Sequence, residues 1–230
     1  MPVEITPIKH EDIPGAARCI QSAFSSDPYF KWVFDPSNYN KNRNISSLTL
    51  RCEWGIRNAL FYVAKDTDSQ EPSRVLGVSM WLPPKSANEP ESWSSFLGSY
   101  LLWFKQGLLN VQHLGRGGLI YRRYQIWKRS QAEAQREIWT DPNGYYFCNI
   151  VVVHPKEQGR GLGRKLMEIV TDQADKEGRR CYLESSRKEP NVEIYGKMGF
   201  KVLRRMICED DGEKCDLYCM VREPLQGDRQ

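Results

Sequence analysis

Histidine is scarce in this chain, with three in 230 residues. None of the seven cysteines forms a Cys-x-x-Cys pair, and Cys215 and Cys219 lie in a stretch that reads as a strand. Zinc sites need clustered nitrogen and sulfur ligands, so no metal is expected. An odd cysteine count without framework spacing reads as free thiols in a reducing, cytoplasmic compartment. Long apolar runs are also missing. The most nearly apolar stretch, 96–104, is about half of the roughly 20 residues a membrane span requires. The opening MPVEITPIKHEDIPG has no signal-peptide core, so no membrane association is expected. Nor does one charge dominate. Lys and Arg number 33 against 29 Asp and Glu, a net charge of +4. That suits an anionic small-molecule cofactor and falls short of the basic stripe of a nucleic-acid binder, so no nucleic-acid partner is expected.

What remains is an ordinary globular composition, 40% hydrophobic and 27% charged. A strand is predicted at 3–8, then a helix over 12–24 with Ile13, Ala16, Ala17, Ile20 and Phe24 at helical spacing. A loop rich in Asp, Pro and Asn follows over 27–38, then a helix over about 44–60. LFYVAK and VLGVSMWL read as two strands around a polar turn at 66–73, closed by Pro83-Pro84. Residues 91–114 and 119–139 read as helices flanking Gly115-Arg116-Gly117-Gly118. They carry Trp93, Phe96, Tyr100, Trp103, Phe104, Tyr121, Tyr124 and Trp127, either as buried aromatic faces or as part of an acceptor pocket. Arg122, Arg123, Lys128, Arg129 and Arg136 read as a solvated face.

From residue 145 strands and helices alternate. YYFCNIVVV is a buried-strand run ended by His154-Pro155. Leu162, Leu166, Ile169, Val170 and Ala174 mark one face of a helix that Gly178 stops. CYLESS is the next strand, and a short helix is predicted over 191–198 with Asn191 as its N-cap. FKVLRRMIC and CDLYCMVRE form a hairpin around Asp210-Asp211-Gly212-Glu213.

The chemistry concentrates between these elements. After a strand and a proline, Gln158, Gly159, Arg160, Gly161, Leu162, Gly163 and Arg164 open an amphipathic helix. The first N–H groups of a helix have no internal partner and its dipole favours negative charge. Glycines let a pyrophosphate approach the backbone, and Arg160 and Arg164 add positive charge. No Walker A string is present. In the Rossmann fingerprint Gly159 and Gly161 fit, but Arg164 holds the third glycine position. Glu184 stands where a ribose-binding acid would, yet fewer than fifty residues follow it, too few for the rest of a doubly wound sheet.

The Gln158, Gly161, Gly163 pattern after strand and proline resembles the coenzyme A loop of the Gcn5-related N-acetyltransferase (GNAT) superfamily. The resemblance spans 145–223 and extends more weakly to the N-terminal strand and helix and to VLGVSMWLPP. Within the superfamily, QGRGLG, YLESS and N…IYGKMGF look closest to the puromycin N-acetyltransferase type.

This resemblance implies an α/β (α+β) fold: a mixed, mostly antiparallel sheet of about six or seven strands flanked by helices, with YYFCNIVVV and CYLESS parallel. It implies a single domain over 1–230, with a helical insertion at about 85–140 and a cofactor-binding core at about 145–223. Acetyl-coenzyme A would be the donor and a primary amine, expected on a small molecule, the acceptor. A peptide or protein amine, or a non-catalytic acyl-coenzyme A module, are the alternative readings.

The backbone of Val151 and Val153 would hold the pantetheine arm, and the amides from Gly159 to Arg164 the pyrophosphate. Asn191 would contact the pantetheine or thiol end, and Tyr195 would be the general acid. Glu184 is the first candidate base, ahead of Glu53 and Asp27. Cys148 lacks a nearby activating partner in sequence, and His154 reads as structural.

Overall fold

The computed structural model describes residues 3–67, 74–85 and 93–225. Most of the expected 66–73 turn, the first residues of the 91–114 helix, and the side chains of Trp93 and Phe96 lie outside that description. Seven strands form one sheet: β1 (Val3–Pro7), β2 (Leu60–Asp66), β3 (Val75–Leu82), β4 (Tyr145–Val153), β5 (Arg180–Ser185), β6 (Lys201–Asp210) and β7 (Glu213–Arg222). Their order is β1-β2-β3-β4-β5-β7-β6, and every neighbouring pair is antiparallel except β4 and β5. The expected mixed sheet and its parallel pair are therefore present. The β6–β7 hairpin turns on Asp211 and Gly212, both at positive φ (51° and 83°), the conformation a two-residue type I′ turn needs.

Seven helices cover the sheet: α1 (Ile13–Phe24), α2 (Pro28–Val33), α3 (Lys41–Asn58), α4 (Trp93–Gln112), α5 (Tyr121–Ile138), α6 (Leu162–Glu177) and α7 (Asn191–Gly196). On one face, α1 sets Ile13, Ala16 and Ile20 against Val63, Val78 and Ile150, with Cys52 of α3 in the same cluster. Further along that face, Trp32 and Val33 of α2 and Ala134 of α5 pack with Phe147, Tyr182 and Leu217. On the opposite face, α6 buries Leu162, Leu166, Met167, Val170 and Ala174, nearly the stripe expected from its spacing. The Ser79 hydroxyl donates to the Leu166 carbonyl at 3.1 Å, fixing the depth at which α6 sits on β3.

Three expectations need correction. The 27–38 segment contains a helix, α2: Asp27 Oδ1 accepts from the Tyr29 and Phe30 amides (2.9 and 3.2 Å), and Pro28 takes the first turn. Asn191 is the first residue of α7, and Pro190 occupies its N-cap position. The middle helices also differ from each other. α5 turns Tyr124, Trp127 and Ala134 inward. α4 instead lies on α3 through Ser47–Gln106 and Lys105–Glu53, and its Tyr100, Trp103 and Phe104 are exposed.

The C-terminal end of α6 is tied to β7. Arg222 donates twice to Asp175, both bonds at 2.6 Å, and its Nε donates to the Met198 carbonyl at 3.0 Å. Desolvation raises the Asp175 pKa, but the bonds from Arg222 and the Leu225 amide outweigh it, leaving a net depression. A depressed carboxylate stabilises the fold above its unfolded pKa, and that contribution is lost as pH falls through the folded value. Asp175→Asn is therefore expected to cost about 1–3 kcal/mol at neutral pH. The gap from wild type should narrow below the ordinary aspartate value of about 3.9, as urea unfolding over a pH series would measure.

Candidate active site

The site is built around a fault in β4. Ile150 pairs with Met80 and Cys148 with Trp81, so Asn149 is an extra residue with no partner on β3. Such a bulge bends a strand, increases its twist and re-aims a side chain. The pairing of β4 with β5 ends at the same level, at Cys148 and Leu183. Beyond it β4 continues against β3 as far as Val153, while β5 continues against β7 as far as Ser185. A wedge thus opens, and the edge of β4 through Val151 and Val153 faces β5 without a strand to bond.

The glycine-rich loop closes the wide end of the wedge. Gly159 and Gly161 have φ of 80° and 72°, a region that disfavours a Cβ, and a Cβ built on either meets no atom within 4 Å. Gly161 is the N-cap of α6 and offers no side chain, so the amides of Leu162, Gly163 and Arg164 at the first turn point into that open space. Gln158 Nε2 donates to the Val153 carbonyl at 3.4 Å, folding the loop back onto the end of β4.

The arginines do not stand free over the loop. Arg160 bonds Glu157, and Arg164 bonds Glu168 at 2.8 Å. Anion binding here rests on backbone amides and the helix dipole more than on side-chain charge.

Just past the last parallel pair, Glu184 lies on the side of the sheet covered by α5. Its carboxylate accepts from Gln131 Nε2 (2.8 Å), Tyr182 Oη (2.8 Å) and Gln135 Nε2 (3.5 Å). Burial raises its pKa above the ordinary glutamate value, against the lowering pull of those three bonds and of Lys128. Glu184 is thus held by neutral donors rather than by an ion pair.

Tyr195 sits on the opposite side, in the cluster that holds Cys148, with its ring edge-on to Phe200 at 6.2 Å. Desolvation, then the nearby Cys148 and Asp27, push its phenol up, so it stays protonated. Asn191 Nδ2 donates to Ser185 Oγ at 3.2 Å, which pins α7 to the end of β5.

The remaining sequence candidates have other work. Asp27 caps α2 and accepts from Ser186 Oγ at 2.6 Å, and Glu53 pairs with Lys105 at 3.3 Å. His154 Nδ1 accepts from the Lys156 amide at 3.3 Å. Burial drives the Cys148 thiol well above its ordinary pKa, which opposes a thiolate nucleophile. All seven cysteines are buried and unpaired. Among the described residues no group of three or more His, Cys, Asp or Glu is placed to hold a metal, and no helix is long and apolar enough to cross a membrane.

Several residues of the site escaped the sequence reading. Arg51 of α3 reaches β4 and donates from Nη2 to Asn149 Oδ1 at 2.7 Å. Tyr124, Lys128, Gln131 and Gln135 form one face of α5, which leans over Glu184. The expected solvated face is corrected at Arg123 alone: Arg122, Lys128, Arg129 and Arg136 are exposed. Arg123 is held by Asp210, Glu213 and the Trp32 carbonyl, and the exposed Lys128 bonds Gln131 at the rim of the cleft. A lone asparagine within YYFCNIVVV, and glutamines four apart on a helix, were the signals available.

Residues 123–202 match the family model for the acetyltransferase (GNAT) domain. Over that stretch the chain is similar to GNAT acetyltransferases. Over 148 residues the chain is 34% identical to an uncharacterised N-acetyltransferase of Schizosaccharomyces pombe, covering 64% of this chain and 56% of that protein's length. A second uncharacterised N-acetyltransferase of the same yeast is 23% identical over 242 aligned positions, covering 98% of this chain and 94% of the relative. Among solved structures, a histone acetyltransferase and related acetyltransferase of Corynebacterium glutamicum superposes with a TM-score of 0.61. It is 16% identical, with 99% of each chain covered.

A side chain at Gly159 or Gly161 would enter the open space in front of the free amides of α6, where a pyrophosphate would have to lie if the loop holds the cofactor. Asparagine tolerates positive φ, so Gly161→Asn should fold. Its expected effect is a more than tenfold weaker affinity for coenzyme A by calorimetry, with little change in thermal midpoint. Unchanged affinity in the folded variant would remove the loop from the cofactor site.

Proposed function

We propose that the protein transfers the acetyl group of acetyl-coenzyme A directly to the primary amine of a small molecule, in a reducing, cytoplasmic setting. The observation that carries this reading is the wedge between β4 and β5, with a desolvated carboxylate on one side and a desolvated phenol on the other. The thioester supplies an acetyl carbonyl open to attack. Glu184 takes a proton from the incoming ammonium, directly or through a water, and its raised pKa makes it a stronger base than an exposed glutamate. The amine nitrogen bonds the acetyl carbon as the carbon–sulfur bond breaks. Tyr195 gives its phenolic proton to the departing thiolate, and the acetylated nitrogen, still carrying two protons, returns one to the Tyr195 phenolate. The products are a neutral amide and the free thiol of coenzyme A, and the proton on Glu184 leaves to water.

The backbone of Val151 and Val153 would hold the pantetheine arm, as a partnerless strand edge can. The amides from Gly159 to Arg164 would hold the pyrophosphate, and Asn191 the region near the thiol. A compact acceptor is favoured by the roof over Glu184, where Tyr29 of α2 and Trp127 of α5 meet at 5.1 Å between ring centres. The likeness of the C-terminal half to puromycin N-acetyltransferases points the same way.

Free-thiol release with acetyl-coenzyme A and a panel of amines tests the reaction. Release no faster than hydrolysis, in a protein that binds coenzyme A, would make it a binding module. Tyr195→Phe keeps the ring's packing and removes the proton, so the single-turnover rate should fall by about 10²–10⁴ while coenzyme A affinity holds. Wild-type single-turnover rates in the folded variant would assign the acid elsewhere.

The base gives a separate signature. Glu184 must be ionised to act, so kcat/KM should rise with pH through a value above the ordinary glutamate pKa. Glu184→Gln should lower activity and erase that limb. A limb that persists in this variant would assign the base to another group.

A further inference from the structure

Two cations of the cleft have no counter-charge in contact. Among the described residues, most arginines meet a carboxylate: Arg74 with Asp66, Arg123 with Asp210, Arg180 with Glu223, Arg205 with Asp216 and Arg222 with Asp175. Arg51 does not. Its side chain bonds Asn149 at 2.7 Å, and the groups that bear on its charge are the phenols of Tyr124 and Tyr29 and the thiol of Cys52. Lys128 likewise bonds an amide, Gln131 Oε1 at 3.1 Å, and lies over the Trp127 ring at 4.9 Å. Both side chains reach solvent within an open cleft, yet desolvation lowers the pKa of each, and Arg51 lowers that of Lys128 further.

The placement joins these cations to the reaction centre. Asn149, which holds Arg51, is the bulge residue where β4 leaves β5, and Glu184 is the residue of β5 at that level. Gln131 accepts from Lys128 and donates to Glu184, so the second cation is one amide away from the carboxylate. The ring of Trp127 lies between those of Tyr29 and Tyr124, at 5.1 and 5.7 Å. The cleft therefore combines two positive groups, a single carboxylate and three aromatic rings. Two cations facing one cleft repel each other, and a ligand anion relieves that repulsion. A guanidinium with donors left over after one bond to an amide has the fork geometry that suits a carboxylate.

Resting on acetyl transfer at this site, we propose that the acceptor is an amino acid-like zwitterion, its carboxylate held by Arg51 and Lys128 and its ammonium turned toward Glu184. An aromatic or apolar body would lie against Tyr29, Tyr124 and Trp127. The reaction then turns a zwitterion into an N-acetyl carboxylate, removing the positive charge and keeping the negative one.

Matched acceptor pairs that differ only in the carboxylate provide the test: tryptophan against tryptamine, phenylalanine against phenethylamine, and 4-aminobutyrate against propylamine. Thiol release with acetyl-coenzyme A should give a kcat/KM at least tenfold higher for the carboxylated member of at least one pair. Arg51→Gln should shrink that ratio tenfold or more, since a charged hydrogen bond is lost, and Arg51→Lys should keep part of it. Calorimetric affinity for coenzyme A is the control for folding and for the donor site.

Equal or better turnover of the members without a carboxylate overturns the proposal and leaves acetyl transfer standing. So does an Arg51→Gln protein with an unchanged ratio, or one whose loss is in coenzyme A affinity. If coenzyme A binds but no carboxylated amine is turned over, the proposal also falls. Failure of every amine together with failure to bind coenzyme A would instead sink the transferase reading itself.

Discussion

The extra residue in β4 is the constraint on which the site depends. A regular strand would carry its parallel pairing with β5 to the end, and the sheet would present no unpaired backbone at its centre. The bulge at Asn149 turns β4 away while β3 still holds it on the other side. The unpaired backbone beyond Cys148 would be costly if buried and dry, which is why a polar ligand arm suits that edge. The same residue orders the cleft, since its side chain receives Arg51 from a helix that packs elsewhere on the sheet.

Burial sets the acid–base character of the two sides of the wedge. Desolvation disfavours charge, so it raises both the Glu184 carboxyl and the Tyr195 phenol. For the glutamate this yields a stronger base that the bonds from Gln131, Tyr182 and Gln135 still permit to ionise. For the tyrosine it yields a phenol that keeps its proton until a thiolate appears beside it. One physical effect thus supports opposite roles because the two groups start from pKa values far apart.

What could be read from the sequence was what depends on neighbours in sequence. The loop from Gln158 to Arg164 combines a strand end, glycines and a helix start, and its geometry follows from those residues alone. The stripe on α6 and the Asp211-Gly212 turn were legible for the same reason. Arg51 and Asn149 lie 98 residues apart, and no periodicity in α3 marks one arginine among its polar residues. Arg123 was hidden by its neighbours: in a helix with several cations, a solvated face is the default reading, and only packing shows which cation is held against the fold. The α2 helix had its signals in Asp27 and Pro28. They were outweighed by the turn-forming residues around them, since a short helix offers too little periodicity to compete. The 27–38 loop and the Asn191 cap were misread where local propensity was left to decide alone.

The positive charge in the cleft bears on the base as well as on recognition. Lys128 pulls the Glu184 pKa down, against the burial that raises it. In the free protein this favours the ionised carboxylate, against burial, without an ion pair of its own. A carboxylate bound between Arg51 and Lys128 would offset that positive potential, and the balance at Glu184 would shift toward burial. Its proton affinity would rise when the ammonium to be deprotonated stands in front of it. An amine without a carboxylate would leave the cations uncompensated and the glutamate a weaker base. Recognition of the anion and activation of the amine would then be one electrostatic event, because the two charges reach Glu184 through the same desolvated space.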